Sequence, residues 1–403
     1  MLAAQTSALH TRMDIMADRP IQSAHHAVNN SLIAAQAPIH QAKRWHFAMH
    51  KLRQGLIRHP AQSAVSLILF VFLLFFSAST LDWAVLNAVF KPDEAACQLA
   101  RPMGACWGMI AEKYNLILWG RFPFEEQWRP MLAVALVLLT LWLSSMRQMW
   151  HTNQRTWLYV FWLGCAFCFE VLMSGRFFGI DVGLGLTAVE SELWGGLPLT
   201  LLLSIVSIAL ATPLGILLAL ARTSEMPLIK SVAVIYIELV RGVPLISVLF
   251  MASFMFPLLL PSLKSPDVLI RVLVGITLFS AAYTAEVVRA GLESVSQGQL
   301  EAAKSLNLGF WKTQRFVVLP QALSHVLPGL VNNFISIFKD TSLVTIVSLY
   351  ELTGSLGLAL NGDAVWRPYK LEGYLFIGLI YFCFCFALSH MGQQIQKNQQ
   401  HQS

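Results

Sequence analysis

Charge is scarce in this sequence. Only 12% of its 403 residues are Asp, Glu, Lys or Arg, against roughly 25% in soluble domains. Hydrophobic residues make up 56%, and the mean hydropathy is +0.59. That shortage excludes an ordinary soluble domain and places the chain among multi-span membrane proteins. A phosphate-binding GxxxxGK followed by Ser or Thr occurs nowhere, so any ATPase of that type must be another polypeptide. Metal-ligand spacing is missing too. Cys165 and Cys168, like Cys383 and Cys385, lie in apolar runs as soft packing residues, and seven of the eleven His are scattered through residues 1–62. Those 62 residues hold no apolar run, so no cleavable signal peptide is expected. The excess of basic over acidic residues, net +6, is confined to short loops beside apolar runs. That is the positive-inside pattern, and no nucleic-acid partner is expected from it.

What is present is a series of apolar runs. The first span, 64–78 with extensions to reach ~20 residues, follows Lys43, Arg44, Lys51, Arg53 and Arg58, with no acid among them. A cytoplasmic N-terminus is therefore expected for the tail 1–62, with an interfacial helix around Trp45 and Phe47. A hydrophilic outside loop follows at 80–130, with five basic and six acidic residues and with Cys97 and Cys106. These two cysteines leave two readings open: a disulfide closing a short loop, or two free thiols. Two more spans, 131–147 and 156–173, complete an accessory region of three helices over 63–194. A Gly-rich outside loop lies at 174–194.

A five-helix core is expected over 195–392. It opens with Gly196, Thr200, Ser204, Ser207, Ala211 and Gly215, a stripe of small residues that lets a neighbouring helix approach closely in lipid. The next span, 236–254, contains Gly242 and Pro244, so a break is expected at 241–244. Spans 269–290, 322–349 and 373–390 follow, with a last outside loop at 350–371 and a cytoplasmic tail at 393–403. The fold class is all-α and polytopic, with about eight transmembrane helices and both termini in the cytoplasm.

Between two of these spans lies a polar interlude, 294–322. Its first half predicts a short helix over 299–306, with Leu300, Ala303 and Leu306 on one narrow apolar face. Asn307 enters the left-handed region cheaply and can end that helix. A short helix presented to the cytoplasm suits docking on a partner. Glu301-Ala302-Ala303, the turn residue Asn307, then Gly309, Val317 and Leu319-Pro320 resemble the EAA loop of bacterial ABC-importer permeases. The departure is Asn307, where that family usually has Gly. Further strings are similar to the longer permeases for polar or general L-amino acids, and extend the resemblance over most of 60–400. They are Gly104-Ala105-Cys106-Trp107, Gly120-Arg121-Phe122-Pro123, Trp128-Arg129-Pro130 and the Glu-Leu-x-Arg-Gly-x-Pro-Leu run from Glu238 to Leu245.

The resemblance implies an inner-membrane transport subunit that is not itself an enzyme. It implies a second permease, two ATPase subunits carrying ATP and Mg, a periplasmic amino-acid-binding protein, surrounding lipid, and no cofactor on this chain. Five charged residues fall inside or beside the core spans: Glu238, Arg241, Glu286, Arg289 and Asp340, the last followed by Thr341 and Ser342. Charges at such depth are costly and face a wet cavity or the bundle interior. They either line or gate a polar path, or pair with one another to fix helix positions. A zwitterionic amino acid needs both a cation and an acceptor, which this set supplies. The alternative to an ATP-driven importer is a secondary transporter driven by an ion gradient and working as a lone chain. A membrane enzyme needs a catalytic His or carboxylate cluster, and the sequence shows none.

Overall fold

The computed structural model describes residues 60–146, 155–177, 179–259 and 266–400. The expected tail, its interfacial helix and the basic link around Arg147 lie outside them. The described residues are helical, and the chain divides into two units, Met1–Leu86 and Asn87–Ser403. The first carries α1 (Pro60–Leu81), an uninterrupted apolar helix prolonged by a π-helical turn at Asp82–Leu86. Among the described residues, seven helices are long and apolar enough to cross a membrane, and an eighth span results if one bent pair counts as a single crossing.

The second unit begins where the sequence predicts a hydrophilic loop. That stretch instead forms α2 (Glu94–Ala100) and α3 (Gly108–Trp119). Asp93 caps α2 by accepting from the Ala96 N–H at 3.1 Å. Cys97 and Cys106 are joined in a disulfide with Cα atoms 5.4 Å apart, tying α2 to the start of α3. Lys113 bridges from α3 to Asp363 at 2.9 Å, and the Glu372 carboxylate accepts from the Cys106 N–H at 3.1 Å. The insert is thus fastened to the far end of the chain.

Two apolar helices, α4 (Trp128–Ser145) and α5 (Arg155–Ser174), pack as a pair. At the start of α4, Arg129 is fully buried. Its guanidinium donates to Leu172 O at 2.7 Å and Thr187 O at 3.0 Å, and it pairs with Glu126. A buried arginine survives there because carbonyls and a carboxylate replace water.

The core comprises α6 (Gly196–Arg222), α7 (Pro227–Arg241), α8 (Leu245–Phe250), α9 (Val268–Ser294), α10 (Gln297–Ser305), α11 (Leu319–Asp340), α12 (Leu352–Asn361) and α13 (Lys370–Gln400). Its most extensive contact is between α6 and α9. All six small residues expected to form a stripe on α6 are buried. Gly215 marks a close approach to α9: a Cβ there would lie 2.6 Å from Thr284 Cβ and 3.1 Å from Ala281 O.

Three expectations change. The span placed at 236–254 breaks where expected, but its first helix begins nine residues earlier. α7 starts at Pro227 and ends at Arg241, and the chain turns through 104° before Leu245–Leu258. Gly242 and Pro244 make that break, as neither continues a helix without loss. The outside loop at 350–371 contains α12, whose Leu352, Leu356, Ala359 and Leu360 are buried; tertiary burial overrides two glycines there. The tail at 393–403 continues α13 as far as Gln400.

Candidate functional site

Two sites emerge, one at each end of the expected chain of events. The first is the polar interlude. α10 spans Gln297–Ser305, close to the predicted helix, and Asn307 ends it with φ +54°. Its N–H donates to Lys304 O at 2.9 Å while the Leu308 N–H reaches Ala303 O at 3.1 Å. These two bonds are the Schellman pattern, in which a residue of positive φ reverses the chain. Ala303 is buried, and Leu300 packs beside Val295, Val318 and Ala322. Glu301 and Ala302 are exposed on the opposite face, as are Gly309 and Pro320, with Leu319 half-buried. Leu306 leaves the predicted apolar face and is 73% exposed, because the helix has ended before it and the three-residue spacing no longer applies. A short turn at Phe310–Thr313 and a π-helical turn at Gln314–Val318 then run into α11. Leu306, Phe310 and Trp311 are also exposed, and the Phe310 and Trp311 rings meet edge-on with centroids 5.3 Å apart.

The second site lies at the break between α7 and α8. A cavity of about 620 Å³ opens there, lined by Arg241 to Leu245, Phe279, Ser280, Tyr283, Asn333, Ser336 and Asp340 among others. It brings a guanidinium from α7 and a carboxylate from the end of α11 to a single polar chamber. The Arg241 guanidinium lies over the Tyr283 ring at 5.8 Å, and its Nε is buried without a hydrogen-bond partner. An unpaired donor of this kind costs free energy until something accepts from it. Thr341 and Ser342 do not line the chamber. Thr341 is fully buried and donates to Phe338 O at 2.7 Å, so it closes the end of α11.

Behind the cavity, Glu238, Arg241, Glu286 and Arg289 join one ionic network, together with Arg222 and Glu293. Glu286 is its centre. It accepts from Arg289 at 2.6 and 3.1 Å and faces Arg222 at 3.4 Å and Arg241 at 3.6 Å. Arg222 also pairs with Glu238 at 2.9 Å, and Arg289 with Glu293. Three arginines balance three glutamates across α6, α7 and α9, at the end of the core that carries α10. The charges thus divide: Arg241 and Asp340 line the cavity, and Glu286 and its partners tie α6, α7 and α9 together.

Sequence reasoning missed several residues. On α11, His325, Asn332, Ser336 and Lys339 are exposed at spacings of seven, four and three, which places them on one face of the helix. The signal was there, since four polar side chains at helical spacing are unusual in a spanning segment. Glu351 was also missed. Its carboxylate is completely buried among partners far away in sequence.

Residues 211–399 match the family of binding-protein-dependent transport system inner membrane components. The chain is 45% identical over 325 residues to an inner membrane amino-acid ABC transporter permease protein of Escherichia coli, covering 79% of this chain and 83% of that one. It is 32% identical to a glutamate/glutamine/aspartate/asparagine transport system permease protein of Rhodobacter capsulatus, covering 90% and 95%. Among solved structures, an amino acid ABC transporter crystallised with histidines matches at 30% identity, covering 50% of this chain and 92% of that chain, with a TM-score of 0.44.

Proposed function

This chain belongs to the family of binding-protein-dependent transport system inner membrane components, and we propose that it passes polar L-amino acids through the cavity at the α7–α8 break. It is a permease subunit of an ABC transporter and a multi-pass inner membrane protein, a transport component rather than an enzyme. Membership of this family favours ATP as the energy source over an ion gradient. The observation that carries the substrate reading is that Arg241 and Asp340 both line one chamber. Arg241 would receive the α-carboxylate, where its unpartnered Nε and the first turn of the helix after the break both favour an anion. Asp340 would receive the α-ammonium.

The remaining parts fit around this. α10 with exposed Glu301 would dock on an ATPase subunit that holds ATP and Mg, and the 294–322 loop and both termini would then lie in the cytoplasm. The polar face of α11 is too costly to leave in lipid. A second permease subunit, across a water-filled path, would cover it. A binding protein on the outer side would deliver the substrate.

The test is ATP-dependent uptake by the complex that co-purifies with this chain, reconstituted in vesicles and offered each polar L-amino acid. Arg241→Gln and Asp340→Asn are expected to lower uptake at least about tenfold with assembly unchanged, the cost of one lost charge-assisted bond. Full uptake in both variants, or uptake of no L-amino acid by the parent complex, would overturn the reading.

A further inference from the structure

Glu351 is the most completely enclosed carboxylate in the core, and nothing above uses it. It precedes α12 and caps it: Oε1 accepts from the Thr353 and Gly354 N–H groups at 2.9 and 3.0 Å. Oε2 lies 3.3 Å from Thr200 Oγ1 on α6 and accepts from the Tyr381 hydroxyl of α13 at 2.8 Å. The surrounding backbone is stitched to the same place. Gly196 N–H donates to Tyr350 O at 2.9 Å, and Leu352 N–H donates to Thr200 Oγ1 at 3.1 Å. Thr200, Thr341 and Ser355 are, like Glu351, fully buried. Three helices therefore converge on one side chain.

The hub reaches the cavity through two aromatic rings. Tyr381 stands edge-on to Phe338 with ring centroids 5.4 Å apart. Phe338 is buried two residues before Asp340, and the 3₁₀ segment Thr341–Val347 connects Asp340 to the residues that Glu351 caps. Asp340 and Leu343, both on the cavity wall, are thus held from either side by groups that depend on one carboxylate.

We propose that Glu351 is the positioning residue for the Asp340 wall of the cavity. It locks the 341–355 segment against α6 and α13, so that the acceptor for the substrate's ammonium keeps its place. Burying a carboxylate is worthwhile for position only if all of its bonds are made, and here four donors surround it. The inference rests on the cavity being part of the transport path.

The experiment reads the wall directly, with no substrate. Leu343→Cys is introduced into the assembled complex after Cys165, Cys168, Cys383 and Cys385 are replaced by Ala, and its modification by a maleimide is timed. Glu351→Ala and Tyr381→Phe are expected to speed modification by about tenfold or more, the factor that accompanies loss of a hydrogen bond to a charged group. Glu351→Gln keeps an acceptor for both amides and a donor pair for Thr200 and Tyr381, so its rate should stay within about twofold of the parent. Unchanged rates in Glu351→Ala and Tyr381→Phe would overturn the proposal, as would a Gln variant as reactive as the Ala variant. If Glu351→Ala fails to accumulate, Tyr381→Phe, which removes one hydroxyl, decides alone. Uptake of each polar L-amino acid is measured in parallel. Its absence in the parent, with the labelling pattern as expected, counts against the amino-acid reading and leaves the positioning role standing.

Discussion

Gly215→Ala is a one-carbon change whose consequence follows from the contact between α6 and α9. The new Cβ would sit 2.6 and 2.7 Å from Thr284 Cβ and Cγ2, where carbon atoms prefer about 3.5–4.0 Å. The helices must separate by about 1 Å or Thr284 must shift. Overpacking of this sort costs about 1–3 kcal/mol. Thr284 is not free to yield, since its hydroxyl donates to Ser280 O and accepts from Asn333 Nδ2, both at 2.8 Å. Losing the Asn333 bond adds about 0.5–1.5 kcal/mol. The better helix propensity of Ala offsets about 0.5–1 kcal/mol. A net destabilisation of about 1–3 kcal/mol remains. Because Asn333 lines the cavity, uptake should fall as well. The assay is unfolding in mixed micelles followed by tryptophan fluorescence, with Gly357→Ala on α12 as the control, since nothing lies within 4 Å of a Cβ there. That control should be neutral or slightly stabilising. Thr284→Ser removes Cγ2 and should recover part of the loss when combined with Gly215→Ala, a coupling that two independent effects would not show. A Gly215→Ala unfolding curve superimposed on the parent's would refute the claim that these helices need this close approach.

Four further outcomes are expected. Glu301→Lys should abolish ATP-driven uptake while the chain remains in the membrane and loses its ATPase on purification; retained uptake would remove α10 from the docking role. Asn307→Gly should be tolerated, whereas Asn307→Val forces a β-branched residue to φ +54° and should cost about 1–2 kcal/mol, read as faster hydrogen exchange across Gln297–Ser305. Replacing Cys97 and Cys106 by Ser should lower the stability of the insert by about 2–4 kcal/mol, detected as earlier proteolysis between α2 and α3. Finally, the hydrogen bond from Lys113 holds the Asp363 carboxyl below its usual 3.8, while the Glu112 and Asp363 carboxylates hold the Lys113 amine above 10.5. The carboxylate's contribution is complete above 3.8 and is lost as pH falls through its lowered value. The amine's contribution is complete below 10.5 and is lost as pH rises through its raised value. Exchange rates in α3 should therefore show no titration of this link between about pH 5 and 9.

Much of the architecture was legible because lipid imposes a coarse rule: long apolar runs become spans. The α10 helix was legible from Glu301-Ala302-Ala303 and from Asn307, whose side chain predicts the left-handed turn it makes. The break after Arg241 was legible from Gly242 and Pro244. Other features were not. α12 was hidden because Gly354 and Gly357 weaken its helix signal, and the burial that rescues it comes from other parts of the chain. The partners of Glu351 lie 151 residues upstream at Thr200 and 30 downstream at Tyr381, and no local pattern links them. Arg222 closes α6, and its ion pairs with Glu238 and Glu286 join helices that no local pattern links. Thr341 and Ser342 were grouped with Asp340 by adjacency, yet the end of α11 turns Thr341 into the core. Adjacency in sequence says little about facing where a helix ends.

The helix break relates the two sites to one another. A continuous α7–α8 helix would leave no chamber beside Arg241 and would bury the first N–H groups of α8 in its own ladder. With the break, Arg241 stands between two anions: Asp340 across the cavity and Glu286 at 3.6 Å behind it. The longer of the Glu286 contacts is therefore the one that an arriving carboxylate would draw on, while Arg289 at 2.6 Å stays in place. α9 carries the link onward, because Tyr283, Glu286, Arg289 and Glu293 follow one another at spacings of three and four along its last turns. α10 begins three residues after α9 ends. If the cavity takes the substrate and α10 docks the ATPase, as proposed, occupancy of the one and movement of the other would act on the same helix. The charges that hold α6, α7 and α9 together would then also report on the cavity.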